Sequence, residues 1–445
     1  MKSQKTIFIT SFFGLIARNI LATDILKILR MEPNLRIVIL TPENKKEKYQ
    51  GEFGGPNVIV EGVKIRKPTK LEQWFTILFH NLSDTRAWRI HRLIHRQESK
   101  NYLSASIYWL LSKVGYLATI RQLARWAEYQ FLSKDRFNQY FNQYRPQLVF
   151  ATDIFEPNDL DVMREARSRG IFIVGMVRSW DNITTKGLNR IIPDKLIVNT
   201  PDIRAEAIKY DDVNPEDIFV VGIPHYDRYV TDQRISRHEL FKKLKLDTHK
   251  KTIFFAPPSD IYTQNDPITP KVVAALRPLN AQLLLRLYLV GQVNLGAVQP
   301  IPQKIAIDTP GSGADFMQAD LTAGDAHLAD LLYHSDVVVA FASTLSIDAV
   351  VFNKPVVFVG FDGEPNRPYW QSLRRFYDYD HQRSILETGG AKLAKTQEQL
   401  VKSVKEYLVN PQLDEAGRKK IIEERCFKLD GKSSQRLADT ILKFL

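Results

Sequence analysis

The sequence predicts an α/β protein of two domains, each built on an open parallel sheet. Three observations carry that expectation. Short β-branched or apolar runs alternate with helical patterns along most of the chain. The strand-like runs fall into two sets, separated by the polar stretch 230–250, VTDQRISRHELFKKLKLDTHK. And a chain of 445 residues is longer than one hydrophobic core ordinarily organises. The predicted division is residues 1–235 and 236–445, two similar domains facing each other across a cleft, with the terminal helix of the second crossing back.

In chain order, KTIFIT at residues 5–10 opens the first set. The run that follows reads as a turn at Gly14 and a helix rather than a secretory leader, because Arg18 and Asn19 interrupt its apolar character. RIVIL, QLVFAT, IFIVGMV, KLIVNT and IFVVG complete the first set, and KTIFFAP, LLLRLYL, VVVAF and PVVFVGF form the second. Runs this apolar on both faces suit strands covered by helices on both sides. DLDVMREARSRG and TPDIRAEAIKY supply such helices.

Residues 70–145 break the rhythm with a helical insertion. Between Arg86 and Arg136 stand ten Lys or Arg against three acids, interleaved with Trp88, Tyr102, Tyr108, Trp109, Tyr116 and Trp126. Two readings stay open: aromatic stripes packing on the first domain, or a basic aromatic face that docks on an anionic membrane. No nucleic-acid motif accompanies the charge, so nucleic acid is not expected. His91 and His95 have the i, i+4 spacing of zinc ligands, but Arg92 stands where a metalloprotease carries Glu. Two solvated histidines are expected there, and no metal.

The net charge of +12 points to an anionic partner, whether nucleic acid, acidic lipid or a phosphorylated substrate. A single cysteine, Cys426, excludes an internal disulfide and a cysteine-only zinc site, and fits a reducing compartment. The most membrane-like stretch, LSASIYWLLSKVGYLATI, is interrupted by Lys113 and short for a span. A cytoplasmic protein is expected, with the inner face of the plasma membrane as a place of contact.

Open α/β sheets bind ligands beyond the carboxyl ends of their strands, so the loops after strands carry the candidates. After VVVAF the chain turns at Ser343 and Thr344 into LSIDAVVF. A helix start offers free N–H groups and a favourable dipole to a phosphate. Asp348, at i+4 from Thr344, is placed to accept from ribose hydroxyls. The bland reading is a capped structural helix. In the first half, FATDIFEPND sets Asp153 and Glu156 just past a strand, and VRSWDNITTKG sets Trp180 and Asp181 past another. A carboxylate there is a candidate general base and the indole a flat face for a sugar ring, with loop capping as the alternative. His225 in GIPHYD is a further candidate acid or base, and Gly14 allows close approach of a ligand to the backbone. The G-x-G-x-x-G fingerprint of a dinucleotide site is absent from this turn.

STLSIDAVVFNKPVVFV resembles the nucleotide-binding segment of GT-B glycosyltransferases, and most closely the group containing CDP-glycerol glycerophosphotransferases and similar surface-polysaccharide enzymes. LADLLYHSDVVVAF, VRSWDNITTKG with VVGIPHYDRY, and DGKSSQRLADTI extend the likeness in order along the chain. UDP-N-acetylglucosamine 2-epimerase carries a comparable helix. The resemblance implies a GT-B fold of two Rossmann-like domains, the acceptor on the first and a nucleotide-activated donor on the second. It implies no metal or other cofactor, so helix amides and cationic side chains must meet the charge on the departing nucleotide.

Arg286 matches the arginine of an Arg-x-His-Pro motif in the glycerophosphotransferases, but Tyr288 and Leu289 replace His and Pro. Lys432, in the terminal motif, is a second candidate for the donor, with Arg436 at i+4. Asp181 lies where the epimerases carry an acidic cleft residue, which makes it the first choice of base, ahead of Asp153. The activity so implied is transfer of a sugar from a nucleotide-sugar to a surface polysaccharide or lipid-linked acceptor. The alternatives are transfer of a polyol phosphate from a CDP-polyol, a UDP-sugar 2-epimerase, and a non-catalytic binding module.

Overall fold

A computed structural model describes residues 4–263, 266–288, 292–295, 305–310 and 321–445. The chain forms two compact units, one of Met1–Asp227 with Phe427–Leu445 and one of Arg228–Cys426. The change of unit thus falls at Asp227, ahead of the polar stretch, and residues 427–445 belong with the first unit.

The first unit carries β1 (Lys5–Thr10), β2 (Leu35–Pro42), β3 (Val58–Val63), β4 (Leu148–Ala151), β5 (Phe172–Met176), β6 (Lys195–Val198) and β7 (Ile218–Val220). They form one parallel sheet in the order β3-β2-β1-β4-β5-β6-β7. The second carries β8 (Thr252–Ala256), β9 (Gln282–Arg286), β10 (Ile305–Asp308), β11 (Val337–Ala340), β12 (Val356–Val359) and β13 (Ala391–Ala394). Its order is β10-β9-β8-β11-β12-β13, again parallel throughout. Each order reverses direction once, between β1 and β4 in the first sheet and between β8 and β11 in the second. Those reversals are where a doubly wound sheet opens a crevice at its carboxyl edge.

Burial follows the strand composition. Ile7, Phe8 and Ile9 of β1, and Val337, Val338 and Val339 of β11, are all closed to solvent. Only helices on both faces of a sheet achieve this. One of these layers comes from the far end of the chain. The helix Ser433–Lys443 sets Leu437, Ala438 and Ile441 into the core beside Ile25, Leu29 and Ile37. Its start is fixed by Asp227, whose two carboxylate oxygens accept from the amides of Ser433 (2.9 Å) and Ser434 (2.7 Å). Arg436 then donates to the carbonyl of Val221 (2.8 Å) and to Asp430 (2.8 Å). Gly222, at φ +90°, passes so close that a Cβ there would stand 2.5 Å from the Ser433 hydroxyl.

Between β3 and β4 lie the helices Lys70–Leu82, Arg86–Ser99, Tyr102–Val114, Ala118–Phe131 and Asn138–Tyr144. Thr69, Thr85 and Asn101 cap the first three through their side chains, as small polar residues do at helix starts. Phe75, Phe79, Leu82, Ala124 and Leu132 make a small core of their own with Leu188. Buried charges fasten this layer to the sheet. Glu128 accepts from Arg164 (3.0 Å) and Arg190 (2.6 Å), while Arg121 and Arg125 pair with Asp212. The two histidines have separate partners: His91 packs on Trp88, and His95 bonds the Ser104 hydroxyl at 2.9 Å. Among the described residues no helix is long and apolar enough to cross a membrane.

Candidate active site

The first unit gathers polar groups at its reversal point. Past β1 come Phe13, the turn at Gly14 and a π-helical turn, Ala17–Leu21. Past β4 comes Asp153, almost fully buried, with one carboxylate oxygen accepting from Arg178 Nε at 2.7 Å and the other from the Phe155 amide at 3.1 Å. Arg178 follows β5 and lies over the Phe13 ring, 3.9 Å from its centre. The side chains of Phe13, Asp153 and Arg178 thus meet from three neighbouring strands.

Glu156 takes the capping role at the helix Pro157–Ser168. It accepts from the amides of Asn158 (2.7 Å) and Asp159 (3.0 Å) and from the Asn158 side chain (2.8 Å). These bonds engage both of its oxygens in capping, the alternative expected for it. Asp159 is completely buried and accepts from the Thr10 hydroxyl. Burial, then the charges of Glu156 and Asp153, push Asp159 well above the carboxylate range. Burial comes first among the causes that raise Glu156 as well.

Asp181 stands at the start of the short helix Asn182–Thr185, half-buried, accepting from Ser179 Oγ (2.5 Å) and Thr185 Oγ1 (3.3 Å). Trp180 is only 6% exposed, so the flat face expected for a sugar ring is closed; the indole packs inside instead. His225, in the turn Pro224–Tyr226, is also buried. Burial, then the Arg18 charge, push its pKa well below the usual imidazole value, leaving a neutral ring that is a weak base.

In the second unit Ser343 and Thr344 follow β11 at the reversal point. Thr344 is exposed and Ser343 half-buried, so this turn is open to solvent. The Ser343 hydroxyl accepts from the Leu345 amide at 3.2 Å, and its carbonyl accepts from Ser346 Oγ at 2.7 Å. The helix that follows, Leu345–Val351, is two turns long and turns Asp348 inward. At 8% exposure Asp348 lies beside Cys426, where its charge adds to burial in raising the thiol pKa. Little of Asp348 is thus left exposed for the ribose contact expected of it.

Arg286 closes β9 and forms an ion pair with Asp308, at the end of β10. The other Asp308 oxygen meets His327 Nε2 at 2.8 Å. Burial works against the charge on Asp308, but His327 and Arg286 outweigh it and hold the carboxyl below its ordinary range. His327 is 39% exposed, so this three-residue set has one end in solvent. Next to Arg286, Tyr288 packs edge-on to Tyr262 at 5.8 Å between ring centres, and Tyr262 packs on Phe376 at 6.3 Å. Leu289 lies outside the described residues. Asp308, His327 and Tyr262 escaped sequence reasoning, because the strand that presents Asp308 is four residues long and reads as no element by itself.

Lys432 is exposed, immediately before the helix Ser433–Lys443. It belongs to the first unit and not to the nucleotide-domain set with which it was grouped. Arg436, its neighbour one turn on, is engaged by Asp430 and Val221 as a structural clamp.

The chain has likenesses to known proteins in both sequence and structure. The family model described as CDP-Glycerol:Poly(glycerophosphate) glycerophosphotransferase matches residues 307–443, which include Asp308, His327, Ser343 and Thr344. A teichoic acid poly(ribitol-phosphate) polymerase of Bacillus spizizenii is 24% identical over 251 residues, covering 56% of this chain and 37% of that one. The chain thus matches little more than a third of that relative's length. Among solved structures, a UDP-GlcNAc 2-epimerase from Methanocaldococcus jannaschii aligns with a TM-score of 0.54 at 13% identity, over 98% of this chain and 99% of the other. The wall teichoic acid polymerase TagF aligns with a TM-score of 0.52 at 14% identity, over 100% and 89%. The fold is GT-B, with its seven- and six-stranded parallel sheets.

Proposed function

We propose that the chain is a transferase that moves a group from a nucleotide-activated donor to a growing cell-envelope polymer or its lipid-linked precursor. The observation that supports this most directly is the family match over residues 307–443, which takes in the open turn at Ser343–Thr344 and the Asp308–His327 pair. In this reading the turn and Arg286 receive the donor phosphates. Asp308 holds the guanidinium in place until the phosphates compete for it, and His327 offers a second donor at the solvent side. Preorganised cations of this kind stabilise the charge that develops on a departing nucleotide, and the proposal invokes no metal. Asp181 is the proposed base on the acceptor side, ahead of Asp153, which is more deeply buried and ion-paired with Arg178. The peripheral contact with an anionic membrane belongs to the same proposal.

Two donors are weighed. The family match and the ribitol-phosphate relative favour a CDP-polyol attacked at phosphorus. Tyr288, standing where the glycerophosphotransferases carry His, favours a nucleotide-sugar. The test incubates the full chain with CDP-glycerol, CDP-ribitol and a panel of UDP-sugars, with and without a polymer acceptor, and measures the nucleotide released. Acceptor-dependent release from one donor class supports the proposal. Conversion of a UDP-sugar without acceptor would mean an epimerase, and no thermal stabilisation by any nucleotide would mean a binding module.

A further inference from the structure

The helices between β3 and β4 expose what a soluble domain ordinarily buries. Of the twenty-one large hydrophobic side chains exposed among the described residues, fourteen lie between residues 71 and 131. They recur at helical spacing. The helix Lys70–Leu82 carries Leu71, Trp74 and Ile77; the helix Tyr102–Val114 carries Leu103, Ile107 and Leu110 beside Tyr102 and Trp109; the helix Ala118–Phe131 carries Leu123 and Trp126. Trp109 is 60% exposed and Leu103 74%, although the same helices bury Leu111, Val114 and Ile120 against their own small core. The outward stripes are thus a second apolar face, left over after packing is complete. Faces of this size mark interaction sites.

The charge on this layer is one-sided. Three carboxylates are answered within the fold, Glu72 by Arg66 (2.5 Å), Asp84 by Arg89 (2.8 Å) and Arg92 (2.9 Å), and Glu128 by Arg164 and Arg190, while Asp135 accepts from Ser133 and Glu98 is exposed. Lys64, Lys67, Lys70, Arg86, Arg96 and Lys100 remain exposed in these helices or within a few residues of them, and the Arg96 guanidinium lies over Tyr102 at 5.9 Å. Lys113, 52% exposed, leans its ammonium over Trp109 at 5.9 Å, an apolar stem with a charged tip.

We infer that this face seats the first unit on the surface of an anionic lipid bilayer. Trp and Tyr prefer the headgroup boundary, aliphatic stripes enter the acyl region, and the surrounding cations meet acidic headgroups. The inference deepens the membrane part of the proposed function and rests on it. It assigns that contact to named residues and predicts shallow insertion rather than crossing.

The test measures co-sedimentation of the full chain with vesicles of phosphatidylcholine alone and with about a third phosphatidylglycerol. No donor or acceptor is present, so a failure here leaves the transfer assay to stand by itself, and failed transfer leaves vesicle binding to stand. Binding to the acidic vesicles only, weakened by salt, with tryptophan emission quenched by brominated acyl chains, is the expected result. K70Q/R86Q/R96Q should weaken it by roughly a hundredfold, about fivefold for each charge. W74S/W109S/W126S should abolish the quenching; if that variant fails to fold, the quenching of the native chain and the charge variant decide alone. Equal binding to both vesicle types, or no binding, overturns the inference. So does a concentration-dependent dimer that the tryptophan variant dissolves, which would make this face a contact between two copies of the chain.

Discussion

Asp211 offers a sharp quantitative test of the forces that hold the helical layer on the first sheet. Its side chain is fully buried at the end of the helix Pro201–Asp211, next to the Arg121–Asp212–Arg125 ion-pair set. One oxygen accepts from the Asn189 amide at 2.8 Å, and the other meets no partner among the described residues. Burial pushes its pKa up to about 7. An unfolded aspartate titrates near 3.9, and the gap of about three units, at about 1.36 kcal/mol each, amounts to about 4 kcal/mol. The native chain keeps the proton to higher pH than the unfolded chain does. This contribution is therefore whole below about pH 4 and lost as pH rises through about 7. Asp211→Asn keeps the acceptor for Asn189 and never ionises, so it should escape the loss. Relative to the native chain, the variant should gain about 2.5–3 kcal/mol between pH 5 and pH 9, most of the full gap. Urea unfolding followed by tryptophan emission reads the relevant unit, since five of the six tryptophans lie in it. Parallel stability profiles for the two proteins would refute the account.

Four further outcomes are expected. Asp227→Ala deprives the amides of Ser433 and Ser434 of their acceptor and should cost about 1–2 kcal/mol, as other lost helix caps do; amide exchange should rise in the terminal helix first. Gly222→Ala meets both a positive φ and the Ser433 hydroxyl, so it should lower the melting temperature, and normal melting would show that the joint gives way cheaply. Arg286→Ala should weaken nucleoside diphosphate binding by about tenfold to a hundredfold, the equivalent of a charged hydrogen bond, and should also lower the melting point of the free chain, because Asp308 loses its ion-pair partner. Titration calorimetry with unchanged affinity would remove Arg286 from the donor set. Asp181→Asn should lower turnover with little effect on donor affinity, and unchanged turnover would return the role of base to Asp153.

Of the thirteen strands among the described residues, ten were legible as apolar runs, because a strand covered on both faces must be apolar throughout. The other three fail that test for visible reasons. In β3 the run VIVEGV is broken by Glu61 and Gly62, β10 is a four-residue edge strand, and β13 reads AKLA, whose residues favour helix in isolation. Pairing overrides the preference: Ala391 and Leu393 take their registers from Val356 and Phe358.

The strand-end positions of the candidate residues were legible, and the directions of their side chains were not. Strand-end loops pointed to Asp153, Asp181, Arg286 and Ser343. A one-dimensional pattern does not say which way a two-turn helix faces, however, and Asp348 faced inward to Cys426. Trp180 and Glu156 were misjudged in the same way, the first absorbed by packing and the second by capping. The fragments VVGIPHYDRY and DGKSSQRLADTI, quoted separately for their likeness to one family, meet in space at Asp227 and Ser433.

That meeting has a consequence for biogenesis. Residues 427–445 supply Leu437, Ala438 and Ile441 to a core whose other members precede Asp227. A ribosome that has made the whole first sheet has still not made the helix that seals it. The Arg228–Cys426 unit, contiguous in the chain, is free to fold ahead of the one that begins before it, reversing the usual order of domain folding during synthesis. Until Ser433 reaches Asp227, the nascent first unit presents an unsealed apolar seam to chaperones and proteases alike.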